Sequence, residues 1–260
     1  MIVLIGHGYV GRYIKKELEK HSLDHVWISH AEHLPVSVDV IINAAGVTGK
    51  PNVDACETNR QETVEGNILF PLNLELSNPN TPIVHISSGC VYTGYKDGGY
   101  TEEDIINFNF DNASFYSACK GLEQHVLQQF MNKSYLLRIR MPFGPDHDEK
   151  NYLTKLYQYE KLIDFENSLS SVEDVAKVAV FFATRKPATG VYNVCNPGSK
   201  TTKQISNMLD IHKQWFTEEE FKNAVKAPRS NCVLNVDKLM EVCPIRSVDQ
   251  AMVETIRDLK

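Results

Sequence analysis

The sequence predicts an α/β fold, a doubly wound parallel sheet covered by helices on both faces, with a small C-terminal cap. Short runs rich in Val and Ile alternate with helical patterns in the first half, and this alternation is typical of buried parallel strands. Strands are expected at residues 2–5, 25–29, 38–43, 82–87 and 135–140. Helices with apolar positions three and four apart are expected at residues 9–20, 59–76 and 114–131.

A glycine motif links the first strand to the first helix. Gly6, Gly8 and Gly11 have the spacing Gly-x-Gly-x-x-Gly. In this context the glycines permit a tight turn and close approach of the backbone to a pyrophosphate, whose charge the helix N-terminus attracts. We therefore predict a Rossmann-type dinucleotide site. Its expected residues are Gly6, His7, Gly8, Tyr9, Val10, Gly11, Arg12, Ser29, Asn43, Ala44 and Ala45, together with Tyr116 and Lys120.

The pattern becomes irregular after residue 140, where two prolines end the fifth strand. A helix at 151–159 and a strand at 162–165 are expected next, followed by a helix at 172–184 and a strand at 191–195 that return to the sheet. Helices at 203–210, 217–224 and 248–259 complete the cap. Residues 1–140 are thus expected to form mainly the dinucleotide-binding domain, with 171–195 returning to it, and 141–260 mainly the substrate-binding cap.

Composition excludes several classes of protein. The chain has 260 residues, of which 42% are hydrophobic and 23% charged, which excludes a disordered or fibrous protein. A net charge of −6 without a basic run argues against nucleic acid as a partner. No apolar run is long enough for a signal peptide or a membrane span, so a cytoplasmic location is expected. The six cysteines form no Cys-x-x-Cys pair, so neither a disulfide framework nor a metal site is expected.

The choice of cofactor depends on the end of the second strand. An acidic residue there binds the ribose hydroxyls of NAD, but this chain has Trp27, Ile28, Ser29 and His30. Absence of that acid removes a repulsion against the 2′-phosphate of NADP, and Arg12 could supply a positive charge, although it is equally consistent with a solvated helix residue. NADPH is therefore expected, with NADH as the alternative.

A Tyr-x-x-x-Lys pair would place lysine one helical turn from tyrosine, on the same helix face. Three such pairs occur, beginning at Tyr92, Tyr116 and Tyr157. The first lies in a glycine-rich loop and the third beyond the nucleotide half. Tyr116 and Lys120 open a predicted helix that follows the strand-end serines. A lysine cation stabilises tyrosinate, so this pair is predicted to exchange a proton during catalysis, an amphipathic helix surface being the other interpretation.

The motifs GHGYVGR (6–12), NAAG (43–46), HISSGCVY (85–92) and YSACK (116–120) together resemble the extended short-chain dehydrogenase/reductases. Nearly the whole chain is similar to that family. The resemblance implies that Ser88, Tyr116 and Lys120 are its catalytic serine, tyrosine and lysine.

Further stretches are similar to one branch of that family, the dTDP-4-dehydrorhamnose reductases. They resemble most the plant-type nucleotide-rhamnose synthase/epimerase-reductases, a group with giant-virus members. The stretches are NAAGVTGKPNVDACE (43–57), FYSACK (115–120), LRIRMPFGPD (137–146), NYLTKLYQYEKLID (151–164), GVYNVCNPG (190–198) and APRSN (227–231).

This resemblance implies a 3,5-epimerase and a 4-reductase in one site, converting UDP-4-keto-6-deoxy-D-glucose to UDP-L-rhamnose with NADPH. A C4 ketone acidifies the protons at C3 and C5, so inversion requires a base on one face of the sugar and an acid on the other. The family pattern implies that Cys90 and Lys155 form this pair. From the residues alone, Cys90 would be a small buried side chain and Lys155 a surface lysine.

Substrate-binding residues follow from the same resemblance. Arg229, in APRSN, is expected to meet the substrate pyrophosphate, for which a guanidinium fork is well shaped. Weaker candidates are Lys50, Asn52, Asn67, Arg140 and Asn151. Polar residues of this kind are equally consistent with a structural role.

Two other functions remain open at this stage. The first is a 4-reductase that receives an epimerised UDP- or dTDP-sugar, and the second is a non-catalytic regulatory subunit. An epimerase or dehydratase that retains NAD is disfavoured by the missing acid. The resemblance also implies a homodimer and a separate 4,6-dehydratase that supplies the keto-sugar.

Overall fold

A six-stranded sheet forms the centre of the computed structural model, which describes residues 1–259. Its strands are β1 (Ile2–Ile5), β2 (His25–Ile28), β3 (Val40–Asn43), β4 (Ile83–Ser88), β5 (Tyr135–Ile139) and β10 (Gly190–Asn193). Their order is β10-β5-β4-β3-β1-β2, and every pair is parallel. The chain proceeds from β1 in one direction and from β3 in the other, so the sheet reverses between these two strands, where α/β proteins bind ligands.

Helices cover both faces of this sheet. On one face, α1 (Tyr9–Lys20) packs against α6 (Val172–Arg185), and the apolar sides of both contribute to the largest buried cluster. The other face carries α2 (Arg60–Val64), α3 (Phe70–Ser77) and α4 (Phe115–Leu127). The predicted Rossmann-type doubly wound fold is confirmed.

The C-terminal half also contains a smaller apolar cluster, which includes Phe143, Leu153, Leu209 and Met252. Its helices are α5 (Tyr152–Gln158), α7 (Thr202–Met208), α8 (Glu218–Ala224), α9 (Asp237–Val242) and α10 (Val248–Leu259). Short strands connect them: β6 (Pro142–Phe143), β7 (Lys161–Leu162), β8 (Glu166–Asn167), β9 (Ser170–Ser171), β11 (Lys200–Thr201) and β12 (Gln214–Trp215). None of the helices in residues 1–259 is long and apolar enough to cross a bilayer.

Two predictions of secondary structure were wrong. Of the expected strand at 162–165 only Leu162 is in a strand, at the end of β7, and the next strand, β8, begins at Glu166; β7 pairs with β12 and β8 with β11. The expected continuous helix at 59–76 is interrupted between α2 and α3 by a π-helical turn at Glu65–Leu69. Such turns often mark functional sites, and this one contains the buried Asn67. Helix α9 and a 3₁₀ helix at Val53–Glu57 were not predicted.

Candidate active site

A cavity of about 1040 Å³ opens at the carboxyl ends of β1, β3, β4 and β5. All five predicted catalytic residues line it, namely Ser88, Cys90, Tyr116, Lys120 and Lys155. They come from the end of β4, from α4 and from α5, so the fold brings together segments far apart in the chain.

The glycine turn forms one end of this cavity. Gly6 has φ +106°, and a Cβ there would lie 2.7 Å from the Ala45 nitrogen. A Cβ on Gly11 would lie 2.1 Å from the Gly6 carbonyl oxygen. Gly8 instead has open space, and it precedes α1 without a side-chain cap. Gly6 and Gly11 therefore permit close packing, while Gly8 leaves the uncapped N-terminus of α1 accessible. This arrangement fits a dinucleotide pyrophosphate.

The predicted cofactor residues divide into three groups. Those in the cavity lining are Gly8, Tyr9, Val10, Ala44, Ala45, Tyr116 and Lys120. Gly6, Gly11 and Asn43 lie next to lining residues, and His7, Arg12 and Ser29 are outside the lining. The Asn43 amide contacts His85 Nδ1 at 3.2 Å and accepts a hydrogen bond from the Ala45 N–H at 3.1 Å.

The structure corrects two expectations about the charges that would meet the 2′-phosphate of NADP. The Arg12 guanidinium pairs with the Asp148 carboxylate and does not line the cavity, so its charge is already compensated. The end of β2 also has a carboxylate beside it, that of Glu32, which accepts a hydrogen bond from the Ser29 N–H at 2.6 Å. That bond lowers the pKa of Glu32. The exposed His7 ring packs edge-on against Trp27, with ring centroids 4.4 Å apart.

Tyr116 lies in the first turn of α4, which Ser114 caps by accepting a hydrogen bond from the Ser117 N–H at 3.2 Å. Burial raises the pKa of Tyr116, with a smaller contribution from Cys90 in the same direction, while the Ser88 hydroxyl opposes both. The Ser88 oxygen also accepts the Cys90 N–H at 3.1 Å. Serine, tyrosine and cysteine therefore face one another at the end of β4.

The Lys120 ammonium forms a buried ion pair that the sequence reasoning missed. It donates to Glu123 Oε1 at 3.0 Å, and Ser87 Oγ donates to Glu123 Oε2 at 2.7 Å. Lys120 and Glu123 are 4% and 2% exposed, so water screens this pair little. The sequence did offer a signal for this pair, because Lys120 and Glu123 are three residues apart on one predicted helix. In this structure the charge of Lys120 is thus directed to Glu123.

Cys90 and Lys155 lack the kind of partner that Lys120 has, since neither side chain contacts a carboxylate among residues 1–259. The Cys90 sulfur lies 3.5 Å from the Arg140 guanidinium. The Lys155 ammonium makes no hydrogen bond within the described part of the chain. Burial, and secondarily the charge of Lys150, lower the pKa of Lys155. Both side chains reach the cavity, where a ligand could contact them.

Four of the six predicted substrate-binding residues line the cavity: Asn52, Asn67, Arg140 and Arg229. Arg229 forms a two-pronged ion pair with Asp54, both N–O distances being 2.8 Å, and this contact lowers the pKa of Asp54. Asn52 accepts the Asp54 N–H at 2.9 Å. The Asn67 amide is already bonded to the Val47 backbone at 3.1 and 2.8 Å, which indicates a structural role.

Lys50 and Asn151 lie outside the cavity lining, so the structure does not place them as substrate ligands. Lys50 is an exposed side chain that pairs with Glu149 at 3.2 Å. Asn151 caps α5, accepting the Leu153 N–H at 3.0 Å and donating to the Gly144 carbonyl at 2.7 Å. Lys150 lines the cavity instead, and it donates to the Gly49 carbonyl.

A family model described as the RmlD substrate binding domain matches residues 15–259. The chain belongs to this family. It is 33% identical over 232 residues to a bifunctional dTDP-4-dehydrorhamnose 3,5-epimerase/dTDP-4-dehydrorhamnose reductase of Arabidopsis thaliana, covering 83% of this chain and 75% of that protein. The family thus includes 4-dehydrorhamnose reductases and nucleotide-rhamnose synthases.

L780 of Acanthamoeba polyphaga mimivirus is 28% identical over 264 residues, covering 91% of this chain and 90% of L780. The crystal structure of L780, described as a UDP-rhamnose synthase, has a TM-score of 0.89 at 25% identity and covers 99% of both chains. The chain is therefore a relative of L780. A Bacillus anthracis dTDP-4-dehydrorhamnose reductase in complex with NADP has a TM-score of 0.79 at 17% identity, covering 99% of this chain and 97% of that one, and shares the fold.

Proposed function

We propose that this protein is an NADPH-dependent 4-reductase that also catalyses 3,5-epimerisation, converting UDP-4-keto-6-deoxy-D-glucose to UDP-L-rhamnose. The observation that carries the proposal is one cavity lined by two sets of groups, the Ser88, Tyr116 and Lys120 set and the Cys90 and Lys155 pair. The bifunctional plant relative and the mimivirus synthase support both activities.

The reduction uses the end of β4 and the first turn of α4. When bound, NADPH supplies a hydride to C4 of the sugar. Tyr116 donates a proton to the C4 oxygen, and Ser88 holds that oxygen by a hydrogen bond. Lys120 tunes Tyr116 electrostatically. The uncapped N-terminus of α1 and the open position at Gly8 receive the cofactor pyrophosphate.

The epimerisation uses Cys90 and Lys155. Cys90 lies in the loop that follows β4 and Lys155 lies in α5, so they can approach a bound sugar ring from different directions. One removes the proton from C3 or C5, and the other returns a proton to the opposite face. The ketone oxygen carries the enolate charge between these steps, within reach of Ser88 and Tyr116.

The substrate diphosphate is assigned to Arg229, whose guanidinium already binds an oxyanion in this structure, the Asp54 carboxylate. UDP is proposed as the nucleotide because of the similarity to L780, and dTDP is the alternative. The proposed physiological assembly is a cytoplasmic homodimer, supplied with keto-sugar by a separate 4,6-dehydratase.

Deuterium labelling tests the epimerase. The protein is incubated with NADPH and UDP-4-keto-6-deoxyglucose in heavy water, and the product is analysed by NMR spectroscopy. We expect rhamnose with deuterium at C3 and C5, because the sites that lose a proton regain it from solvent. A reductase that acts only on epimerised sugar would give no labelled rhamnose.

The Cys90→Ala variant separates the two activities. It should fail to turn over the 4-keto-glucose substrate while still reducing UDP-4-keto-rhamnose prepared with a separate epimerase. Equal loss on both substrates would contradict the assignment of Cys90 to epimerisation alone. If the wild-type protein oxidises no NADPH with any nucleotide keto-sugar, the proposed reductase is wrong and a regulatory subunit becomes the better interpretation.

A further inference from the structure

The guanidinium of Arg140 is buried beside the cavity, with the residue only 1% exposed. Its hydrogen-bond acceptors are the Gly89 carbonyl at 3.3 Å, the Ser230 hydroxyl at 2.7 Å, the Ser230 carbonyl at 3.1 Å and the Asn167 amide oxygen. All of these are neutral. No carboxylate pairs with Arg140 among residues 1–259, and its Nε has no partner there.

The fifth contact of this guanidinium is the Cys90 sulfur, 3.5 Å from Nη1. A buried cation without a counter-charge costs several kcal/mol, so an ionisable group in direct contact is strongly affected. Cys90 is the contacting group that can become an anion. Its side chain is also partly exposed and lines the cavity, so a charged sulfur there can act on a ligand.

Arg138, two residues earlier, shows how this chain arranges a different buried arginine. It is also 1% exposed, and it donates to the Gln124 amide at 2.8 Å and the Tyr92 hydroxyl at 3.1 Å. Burial lowers the pKa of Arg138, and the Tyr92 phenol and the Glu102 and Glu103 carboxylates oppose it. Burial acts on the pKa of Arg140 in the same direction, but there the opposing acids are three thiols and a phenol, those of Cys232, Cys90, Cys195 and Tyr152.

The other acids around this site are held neutral by burial. Burial raises the pKa of Cys232, and raises that of Cys195 to about 12, even though Arg140 opposes it in both cases. It also raises the pKa of Tyr152 and of Tyr116, the two phenols facing Arg140 and Cys90. Burial likewise raises the pKa of Tyr95, on the loop after β4, on which Arg140 also acts.

We propose that Arg140 is the counter-charge of an ionised Cys90 thiolate, which makes Arg140 a positioning residue for the base of the epimerisation. This inference rests on the proposed function, and it assigns the two roles: Cys90 is the base and Lys155 is the acid. The Cys90 thiolate takes the proton from C3 or C5, becoming a neutral thiol, and the electron pair of the C–H bond passes to the enolate. The Lys155 ammonium gives a proton to the opposite face, and the next proton exchange with solvent restores both groups.

Negative charge stays in the cavity until Lys155 protonates the carbon. It is on sulfur before proton removal and on the enolate oxygen afterwards, so the Arg140 cation can act on an anion in both of these states. Because the guanidinium is held by Ser230, Asn167 and Gly89, it does not have to reorganise as the charge moves.

Alkylation of the free protein tests the pairing without substrate. Iodoacetamide reacts with thiolates, and peptide mass spectrometry gives the rate at each cysteine as pH is varied. Cys243 is the control within the chain, since it is also partly exposed and its pKa is raised by burial and by Asp174. We expect Cys90 to react at least about tenfold faster than both Cys243 and N-acetylcysteine near about pH 6.5, where an ordinary thiol is about 1% ionised.

The variants identify the cation. Arg140→Met should slow Cys90 alkylation about tenfold at that pH and move its profile to higher pH, and Arg140→Lys should restore part of the rate because it keeps a positive charge. Arg138→Met removes a buried guanidinium two residues from Arg140 that has no Cys90 contact, so its Cys90 profile should match the wild type.

An ordinary thiol profile for Cys90 in the wild-type protein overturns the proposal, even if the Arg140 variants do not fold. An unchanged profile in a folded Arg140→Met variant also overturns it. A reactive Cys90 together with unlabelled rhamnose from heavy water would leave the Arg140–Cys90 pair standing and reject the proposed epimerase.

Discussion

The two sets of groups in the cavity manage their charges differently. In the set proposed for reduction, the Lys120 cation is paired with Glu123 inside the protein. In the set proposed for epimerisation, the Arg140 and Lys155 cations meet no carboxylate among residues 1–259. In the proposed mechanism, the first set needs Lys120 only to influence a neighbouring phenol, while the second has to stabilise charge that appears on sulfur and on the sugar. The difference suggests that a buried cation without a carboxylate partner can mark the place where a reaction forms negative charge.

The largest effect that tests this comparison is expected from the Tyr116→Phe variant. It removes the proton donor to the C4 oxygen and leaves Cys90 and Lys155 in place. Reduction measured by NADPH oxidation should fall by about 10²- to 10⁴-fold, as expected for loss of a general acid. Deuterium exchange into the recovered keto-sugar should continue. If exchange stops as well, reduction and epimerisation do not depend on separate groups.

A smaller effect is expected from Glu123→Gln, which keeps the shape of the side chain and removes its charge. Glu123 is one of the groups that raise the pKa of Tyr116, so the variant should lower that pKa. Because Tyr116 acts in its protonated form, the decline of reduction at high pH should begin at a lower pH than in the wild-type protein. Glu75→Gln is the control, since Glu75 is a buried carboxylate that contacts His85 at 3.0 Å. An unmoved pH profile would show that Glu123 has only a structural role.

The smallest effect concerns the cofactor end, which only the reduction uses. The hydrogen bond from Ser29 lowers the pKa of Glu32, so its carboxylate stays charged and repels a 2′-phosphate. Glu32→Gln should raise the ratio of kcat/KM for NADPH to that for NADH by about threefold, a modest change because salt screens exposed charges. Deuterium exchange should be unaffected. A ratio that stays constant would place Glu32 away from the ribose.

The parts of the fold set by local pattern could be predicted from the sequence. Helix α1 begins and ends at the predicted residues, and the glycine turn follows β1, because both depend on periodicity and on backbone conformations that only a few residues permit. The placement of Tyr116 in the first turn of a helix followed in the same way from its spacing to Lys120.

The pairing of side chains across the molecule could not be predicted in that way. Arg12 and Asp148 are separated by 136 positions, and Arg140 and Cys90 by 50. These contacts depend on how irregular segments pack, for which the sequence has no periodic signal. Lys50 was expected at the substrate from the family resemblance, and its loop gave no indication that the side chain would lie on the surface beside Glu149.

If Arg229 binds the substrate diphosphate as proposed, its pairing with Asp54 affects which anions the site accepts. An incoming oxyanion would take the place of a carboxylate that makes two hydrogen bonds of 2.8 Å, so the net gain would be the difference between two similar contacts. A ligand with one negative charge would gain little from this exchange. A diphosphate would bring a second charge and more acceptor oxygens, so we expect the pair to favour sugar nucleotides over singly charged anions and to keep Arg229 in place between turnovers.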